Sequence, residues 1–177
     1  MNHDNLCNTH LKEKTVQKLI DFHNTDQEIR YSVRQEVKEF NGAESNVLLE
    51  LLKDPSSEIR YKAAYALCIL DNLKYLPDIL QLLRDAHSDV RWGICDLMHD
   101  YGDERAIESL LKIILYDPEG DIRYMACYAL SKIGNEQVIP ILQQVIEIDK
   151  GADFEGRLVR DMAIRAIELI QERLKHT

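Results

Sequence analysis

The amino-acid sequence repeats one short phrase about every 30 residues, and this repeat limits the fold more than any other feature. The phrase runs acidic, branched aliphatic, arginine, aromatic. Its copies are Glu28-Ile29-Arg30-Tyr31, Glu58-Ile59-Arg60-Tyr61, Asp89-Val90-Arg91-Trp92 and Asp121-Ile122-Arg123-Tyr124, with a degenerate fifth at Leu158-Val159-Arg160. Successive arginines are 30, 31, 32 and 37 residues apart. A period of this length without a strand pattern predicts two helices per repeat.

Each copy continues as an amphipathic helix. With the arginine as position zero, apolar residues recur at −1, +3, +7 and nearly always +10, which is one face of an α-helix. An apolar segment before each phrase, such as Leu110-Leu111-Ile113-Ile114, predicts the first helix of the pair. A residue that tolerates a left-handed backbone then follows the second helix and is expected to end it; these residues are Gly42, Asn72, Gly102 and Gly134.

A short polar residue lies six positions before each of the first four arginines, in the predicted turn between paired helices. These residues are Asn24, Asp54, Asp85 and Asp117. Such a side chain can accept backbone N–H groups and is expected to cap the second helix. The arginine one turn later is expected to reach the same carboxylate or the equivalent one in the next repeat. We interpret this ladder as structural.

The motif D-P-x-x-E-I-R-x-x-A-A-x-A-L at residues 54–67, with Gly102-Asp103-Glu104-Arg105-Ala106-Ile107 further on, resembles the HEAT-like repeat of the phycobilisome-lyase type. The resemblance covers about residues 24 to 175 and implies an all-α fold, an α-α superhelix (HEAT-like solenoid) of about five antiparallel helix pairs. The expected organisation is a flexible tail at 1–9 and a single repeat domain at 10–177, with irregular capping repeats at about 10–41 and 135–177. The same repeat serves lyase subunits, adaptors, immunity proteins and glycosylases, so the resemblance implies architecture more than activity.

The composition narrows the function classes. The net charge is −9, from 31 acidic and 22 basic residues, whereas a nucleic-acid binder usually presents a basic face. No phosphate loop, nucleophile motif or metal-ligand spacing is present, so we predict no cofactor and no metal. No secretory signal or membrane span is apparent, and we expect a cytoplasmic protein. The cysteines Cys7, Cys68, Cys95 and Cys127 are expected to be free thiols, with Cys95 and Cys127 as buried spacers at position +4.

The helical period also predicts which residues face away from the core. Positions −2, +1, +5 and +9 point away from the apolar face, and in repeats of the resembled family this surface lines the concave groove. Position +1 holds Tyr31, Tyr61, Trp92, Tyr124 and Asp161, and position +5 holds Gln35, Tyr65, Asp96, Tyr128 and Arg165. Aromatic side chains on an open face are typical of binding surfaces.

Carboxylates share this predicted surface. They are Glu28, Glu58, Asp89 and Asp121 at position −2, Glu39 and Asp100 at +9, and also Asp96 and Asp161, against the cations Lys132 and Arg165. The predicted partner-binding residues are Tyr31, Glu58, Tyr61, Tyr65, Asp89, Trp92, Asp96, Asp100, Asp121, Tyr124, Tyr128 and Arg165. Two structural interpretations stay open: the −2 carboxylates offset helix dipoles, and the tyrosines pack between repeats with only their hydroxyls exposed.

These observations predict a non-enzymatic scaffold or adaptor whose aromatic, acidic groove holds a basic protein partner, for example an immunity-type inhibitor of a basic toxin. Membrane, nucleic-acid and small-molecule partners are not expected. One alternative is a subunit of a phycobilin lyase-like enzyme. A less favoured alternative is an alkylpurine DNA glycosylase-like protein, in which Trp92, Asp96 and Asp100 would stabilise a cationic base.

Overall fold

The computed structural model describes residues 3–21 and 34–176, and its regular elements are helices. They are α1 (His3–Asp21), α2 (Gly42–Leu51), α3 (Ser57–Ile79), α4 (Ser88–Tyr101), α5 (Ile107–Tyr116), α6 (Gly120–Ile133), α7 (Ile139–Ile148) and α8 (Val159–Leu174), with a short helical stretch at 34–38. Three 3₁₀ segments connect helices, at Leu80–Arg84, Glu104–Ala106 and Glu136–Val138. Within the described residues the only β-type pairing is an isolated bridge between Ala152 and Leu158. The predicted all-α class is confirmed.

The chain divides into two compact units, Met1–Ile79 and Leu80–Thr177. In the first, α1 packs against α2 and α3, and α2 packs against α3. In the second, α5 pairs with α6 and α7 pairs with α8, while the second helices α4, α6 and α8 pack side by side. This is the stacking of helix pairs that the 30-residue period predicts.

The apolar face of each second helix forms the core. In α6, Ile122, Ala126 and Leu130 are almost completely buried, and Val90 and Ile94 occupy the equivalent positions of α4. Full burial of one such aliphatic side chain contributes about 1.5 to 3 kcal/mol. Cys95 and Cys127 are also buried free thiols, as predicted, and Cys68 is a third. Burial raises the pKa of the Cys68 thiol to about 12. The side chain of Cys7 lies outside the described part.

The arginine ladder links consecutive repeats of the second unit. Arg91 donates to the backbone carbonyl of Asp85 in its own turn (2.9 Å) and through Nε to the Asp117 carboxylate of the next repeat (2.6 Å). Arg123 repeats this arrangement with the Asp117 carbonyl (2.9 Å) and the Asp149 carboxylate (2.7 Å). The prediction that arginine reaches the neighbouring carboxylate is therefore confirmed, and Asp149 takes the turn position in the irregular last repeat.

The capping role predicted for these aspartates is wrong in part. Asp85 and Asp117 accept the backbone N–H two residues ahead, at 2.9 and 3.0 Å, which closes a turn before the helix begins. The N-cap residues of α4 and α6 are His87 and Glu119, and neither makes a side-chain capping bond. The aspartate lies too early in the turn to reach the first helical N–H groups. Asn24 lies outside the described residues.

The predicted left-handed helix ends are also wrong. Gly102 and Gly134 end α4 and α6 in extended conformations, with φ/ψ of −74°/163° and −66°/152°. A Cβ at either position would collide with the carbonyl oxygen four residues earlier, so close approach of the backbone explains these glycines. Gly156, with φ of 80°, is the one residue of the described part in the left-handed region.

The other two predicted helix ends are misplaced. Gly42 begins α2, because Asn41 forms a capping box with Glu44. The break inside α3 falls at Asp71, whose extended backbone (φ −165°, ψ 91°) separates two helical stretches. The Asp71 carboxylate accepts the N–H of Lys74 at 3.0 Å and so starts the second stretch. A capping aspartate decides this boundary one residue before Asn72.

At the N-terminus, residues 3–9 belong to α1, where a tail is expected from the sequence. The proposed domain limits otherwise remain a prediction. In the part of the chain that the structure describes, no helix combines the length and the apolar character that a membrane crossing requires.

Candidate functional site

The second unit presents a surface along one side of its second helices, which we call the second-helix surface. It is formed by Asp89, Trp92, Asp96, Asp100, Asp121, Tyr124, Tyr128 and Arg165. The aromatic residues are half-buried, whereas Asp89, Asp100 and Arg165 are exposed. Each of the three aromatic side chains therefore keeps part of its surface accessible. Their role in binding is a prediction.

Trp92 lies in a pocket between the first turns of α4 and α6. The pocket has a volume of about 300 Å³ and is lined by Ser88, Asp89, Trp92, Glu119, Asp121, Ile122 and Phe154. Its walls are therefore two aromatic rings, one aliphatic side chain and three carboxylates. The Oδ1 atom of Asp121 is buried and accepts no hydrogen bond from the described residues.

Tyr124 is covered by a cation from the last loop. The Arg157 guanidinium lies 5.0 Å from the centre of the Tyr124 ring. Arg157 also donates through Nε to Asp153 at 2.6 Å. Burial would raise the pKa of Asp153, but the hydrogen bonds from Arg157 and from backbone N–H groups outweigh burial, so the net pKa is lowered. The loop at 149–158 is thus fixed against α6 by a carboxylate, a guanidinium and a ring.

Tyr128 is stacked on His99 of α4, with ring centroids 4.0 Å apart and an angle of 7° between the planes. His99 Nδ1 lies 3.0 Å from the Asp100 carboxylate. This contact connects α4 to α6 across the second-helix surface.

Asp96 lies one turn from Trp92 on α4. Burial of its carboxyl raises the pKa of Asp96, and the nearby charge of Asp100 raises it further. The paired carboxylates therefore make this part of the surface strongly attractive to cations.

The predicted site residues of the first unit form their own cluster. The rings of Tyr61 and Tyr65 are stacked at 6.5 Å, and the Arg34 guanidinium lies 5.7 Å from the centre of the Tyr65 ring. Glu58 pairs with the buried Lys62 at 2.6 Å. These residues lie in a different unit from the second-helix surface, and Tyr31 lies outside the described residues.

The second-helix surface is less negative than the sequence indicates, because Arg157 was not expected on it. Arg157 covers Tyr124, and Arg165 pairs with Glu168 at 3.0 Å. In the first unit, Arg34 covers Tyr65 and was not expected there either. Arg157 belongs to the irregular segment of the last repeat, which the repeat register does not place. Phe154 and Glu119 were missed for the same reason: one lies in that segment and the other in a turn. Phe154 could have been recognised from the sequence as a candidate site residue, because it is an aromatic residue in an otherwise polar insertion.

Among the described residues, no group of histidine, cysteine, aspartate or glutamate side chains is arranged to hold a metal ion. The thiols Cys95 and Cys127 are buried, and burial raises the pKa of both. The accessible chemistry of the second-helix surface is therefore that of aromatic rings and carboxylates.

Comparison with known proteins agrees with this architecture. The family model for HEAT repeats matches residues 44–123 and 76–168, so the chain belongs to the HEAT repeat family. A search of curated protein sequences returned no match.

Solved structures share the fold at low sequence identity. The complex of CpcE and CpcF of phycocyanin lyase from Nostoc sp. PCC7120 matches with a TM-score of 0.59 and 20% identity, over 88% of this chain and 64% of that one. A designed armadillo repeat protein in complex with the peptide (KR)4 matches with a TM-score of 0.52 and 19% identity, over 90% and 86% of the two chains. An engineered protein matches with a TM-score of 0.53 and 20% identity, over 89% and 79%.

Proposed function

We propose that this protein is a non-enzymatic binding scaffold whose second-helix surface holds a basic segment of a protein partner. The observation that carries the proposal is the alternation of rings and carboxylates on α4 and α6. Trp92, Tyr124 and Tyr128 supply contact area, and Asp89, Asp96 and Asp100 supply negative charge. Cations bind well where a ring face and a carboxylate are adjacent.

The contacts inside the chain support this chemistry. Arg157 over Tyr124 and His99 against Tyr128 show that the rings of this surface accept cationic or polarisable neighbours. A designed armadillo repeat protein of similar fold was solved in complex with the peptide (KR)4, which supports a basic segment as the partner. An immunity-type inhibitor of a basic toxin is one example of this function.

The lyase alternative has weaker support. A phycocyanin lyase complex shares the fold, but at 20% identity the likeness extends to architecture alone. The glycosylase alternative needs a surface that tolerates a phosphate backbone, and the carboxylates around Trp92 oppose one.

The proposal predicts that Trp92→Ala combined with Tyr124→Ala weakens capture of a Lys-Arg octapeptide by about 30-fold or more, because even one aromatic anchor at an interface centre contributes about 2 kcal/mol or more. Affinity is measured by isothermal titration calorimetry at low salt. Tyr116→Ala is the matched control, because Tyr116 is 78% exposed and does not line the Trp92 pocket.

Binding by the double variant at the strength of the natural chain would reject the second-helix surface as the binding site. Circular dichroism confirms that helicity is retained in each variant, which separates lost contacts from lost folding.

A further inference from the structure

The pocket beside Trp92 is lined in part by a loop that the other repeats lack. The extra residues of the last repeat place Phe154, which is 72% exposed, on the pocket wall together with Trp92. The loop is held in place by Asp153, which accepts the backbone N–H groups of Glu155 and Arg157 at 3.0 and 2.9 Å. A large aromatic side chain is thus carried to the pocket by a loop whose backbone is hydrogen-bonded in place.

Three carboxylates line the pocket. In the described part of the chain, no ion pair involves Asp89, Glu119 or Asp121. One Asp121 oxygen is buried without a donor, and buried acceptors of this kind are rare because the lost hydration is not replaced. A volume of about 300 Å³ lies at the lower limit of ligand pockets and suits one side chain.

We infer that this pocket receives an arginine side chain of the basic partner segment, an inference that rests on the proposed function. A guanidinium is planar, stacks on aromatic faces and donates to a carboxylate in parallel pairs, and an ammonium does not. The chain itself uses this combination next to the pocket, where Arg157 lies over Tyr124 and binds Asp153. The pocket offers Trp92 and Phe154 as faces and Asp89, Glu119 and Asp121 as acceptors.

The test compares three octapeptides, (Ser-Arg)4, (Ser-Lys)4 and (Ser-citrulline)4, in which citrulline keeps the shape of arginine without its charge. Trp92 is the one tryptophan of the chain, so its fluorescence reports on the pocket directly. The arginine peptide is expected to shift Trp92 emission and to bind about tenfold more tightly than the lysine peptide. The citrulline peptide is expected to leave the emission unchanged.

Two variants examine the pocket walls. Asp121→Asn is expected to weaken the arginine peptide by about tenfold or more, since it removes a charged acceptor. Phe154→Ala is expected to weaken it by about threefold to tenfold, the range of an aromatic–cation contact. The controls are Glu108→Gln, an exposed first-turn acid of α5, and Tyr116→Ala, an exposed ring; neither lines this pocket, and both are expected to bind as the natural chain does.

Equal affinity for the arginine and lysine peptides, together with natural-strength binding by Phe154→Ala and Asp121→Asn, would overturn the arginine pocket. The proposed function would stand in that case if the Trp92 and Tyr124 double variant still lost binding. Binding of none of the three peptides to the natural chain would overturn both.

Discussion

Arg123 shows how single residues connect the repeats of the second unit. Its guanidinium donates to the Asp117 and Pro118 carbonyls at 2.9 and 3.0 Å and to both oxygens of Asp149 at 2.7 and 2.9 Å. Burial would raise the pKa of Asp149, but hydrogen bonds from Arg123 and from the Gly151 N–H outweigh burial and lower it. The pKa of Asp149 is thus lower in the folded state than in the unfolded state, where it is about 3.9. The ionised pair therefore stabilises the fold fully above that unfolded-state pKa. This stabilisation is lost as the pH falls through the folded-state pKa of Asp149.

Asp149→Asn is therefore expected to lower the free energy of unfolding by about 2 to 3 kcal/mol at pH 7, because Arg123 loses its buried countercharge. The amide oxygen can still accept the Gly151 N–H, so the loss isolates the ion pair. The difference from the natural chain should shrink as the pH falls below about 4. Urea unfolding at several pH values measures it.

Glu168→Gln is the control for this experiment, since its pair with Arg165 is exposed and is worth about 0.2 to 0.5 kcal/mol. A loss at Asp149 that is no larger than at Glu168, or that is constant with pH, would contradict the account of the ladder.

Among the elements, the second helices were the most predictable from the sequence. Their core positions follow from the 3.6-residue period, and Ile122, Ala126 and Leu130 are buried where that period requires. The helix ends were less predictable, because a glycine such as Gly102 can be required for either of two reasons. It can adopt a left-handed backbone, or it can let another part of the backbone approach closely. The placement of Trp92, Tyr124 and Tyr128 on one face was predictable from the same period, and their role in binding stays a prediction. The contact of Arg157 with Tyr124 was not predictable, because the loop that provides Arg157 departs from the repeat register.

The two roles of glycine give an element-level prediction. Gly102→Ala is expected to destabilise the second unit by about 1 to 3 kcal/mol, because the added Cβ collides with the Met98 carbonyl at the end of α4. Gly42→Ala is expected to be neutral or to stabilise by about 0.4 to 1 kcal/mol, since no atom lies within 4 Å of the added Cβ at the start of α2. Thermal unfolding of both variants distinguishes them, and an equal effect at the two positions would contradict the role assigned to Gly102.

At the scale of the whole molecule, the acidic balance favours basic partners. The net charge of −9 attracts cationic segments over distances of about a Debye length, about 10 Å at 0.1 M ionic strength. The two units carry separate sets of rings, Tyr61 with Tyr65 in one and Trp92, Tyr124 and Tyr128 in the other.

The association rate of a Lys-Arg octapeptide is accordingly expected to fall by about tenfold or more between low salt and 0.5 M salt, with a smaller change in the dissociation rate. Stopped-flow fluorescence of Trp92 measures both rates. Rates that do not change with salt would leave the carboxylates without a role in association.

The central claim is that the second-helix surface of the second unit is the face that holds a basic segment. The most direct measurement is NMR chemical-shift mapping of the isotope-labelled chain during titration with the Lys-Arg octapeptide. The account predicts that shifts concentrate at Trp92, Asp96, Tyr124 and Tyr128, with Phe154 and Asp121 among them, and spare Tyr116. Shifts that concentrate around Tyr116 and Ile148, or no saturable shift on α4 and α6, would contradict it.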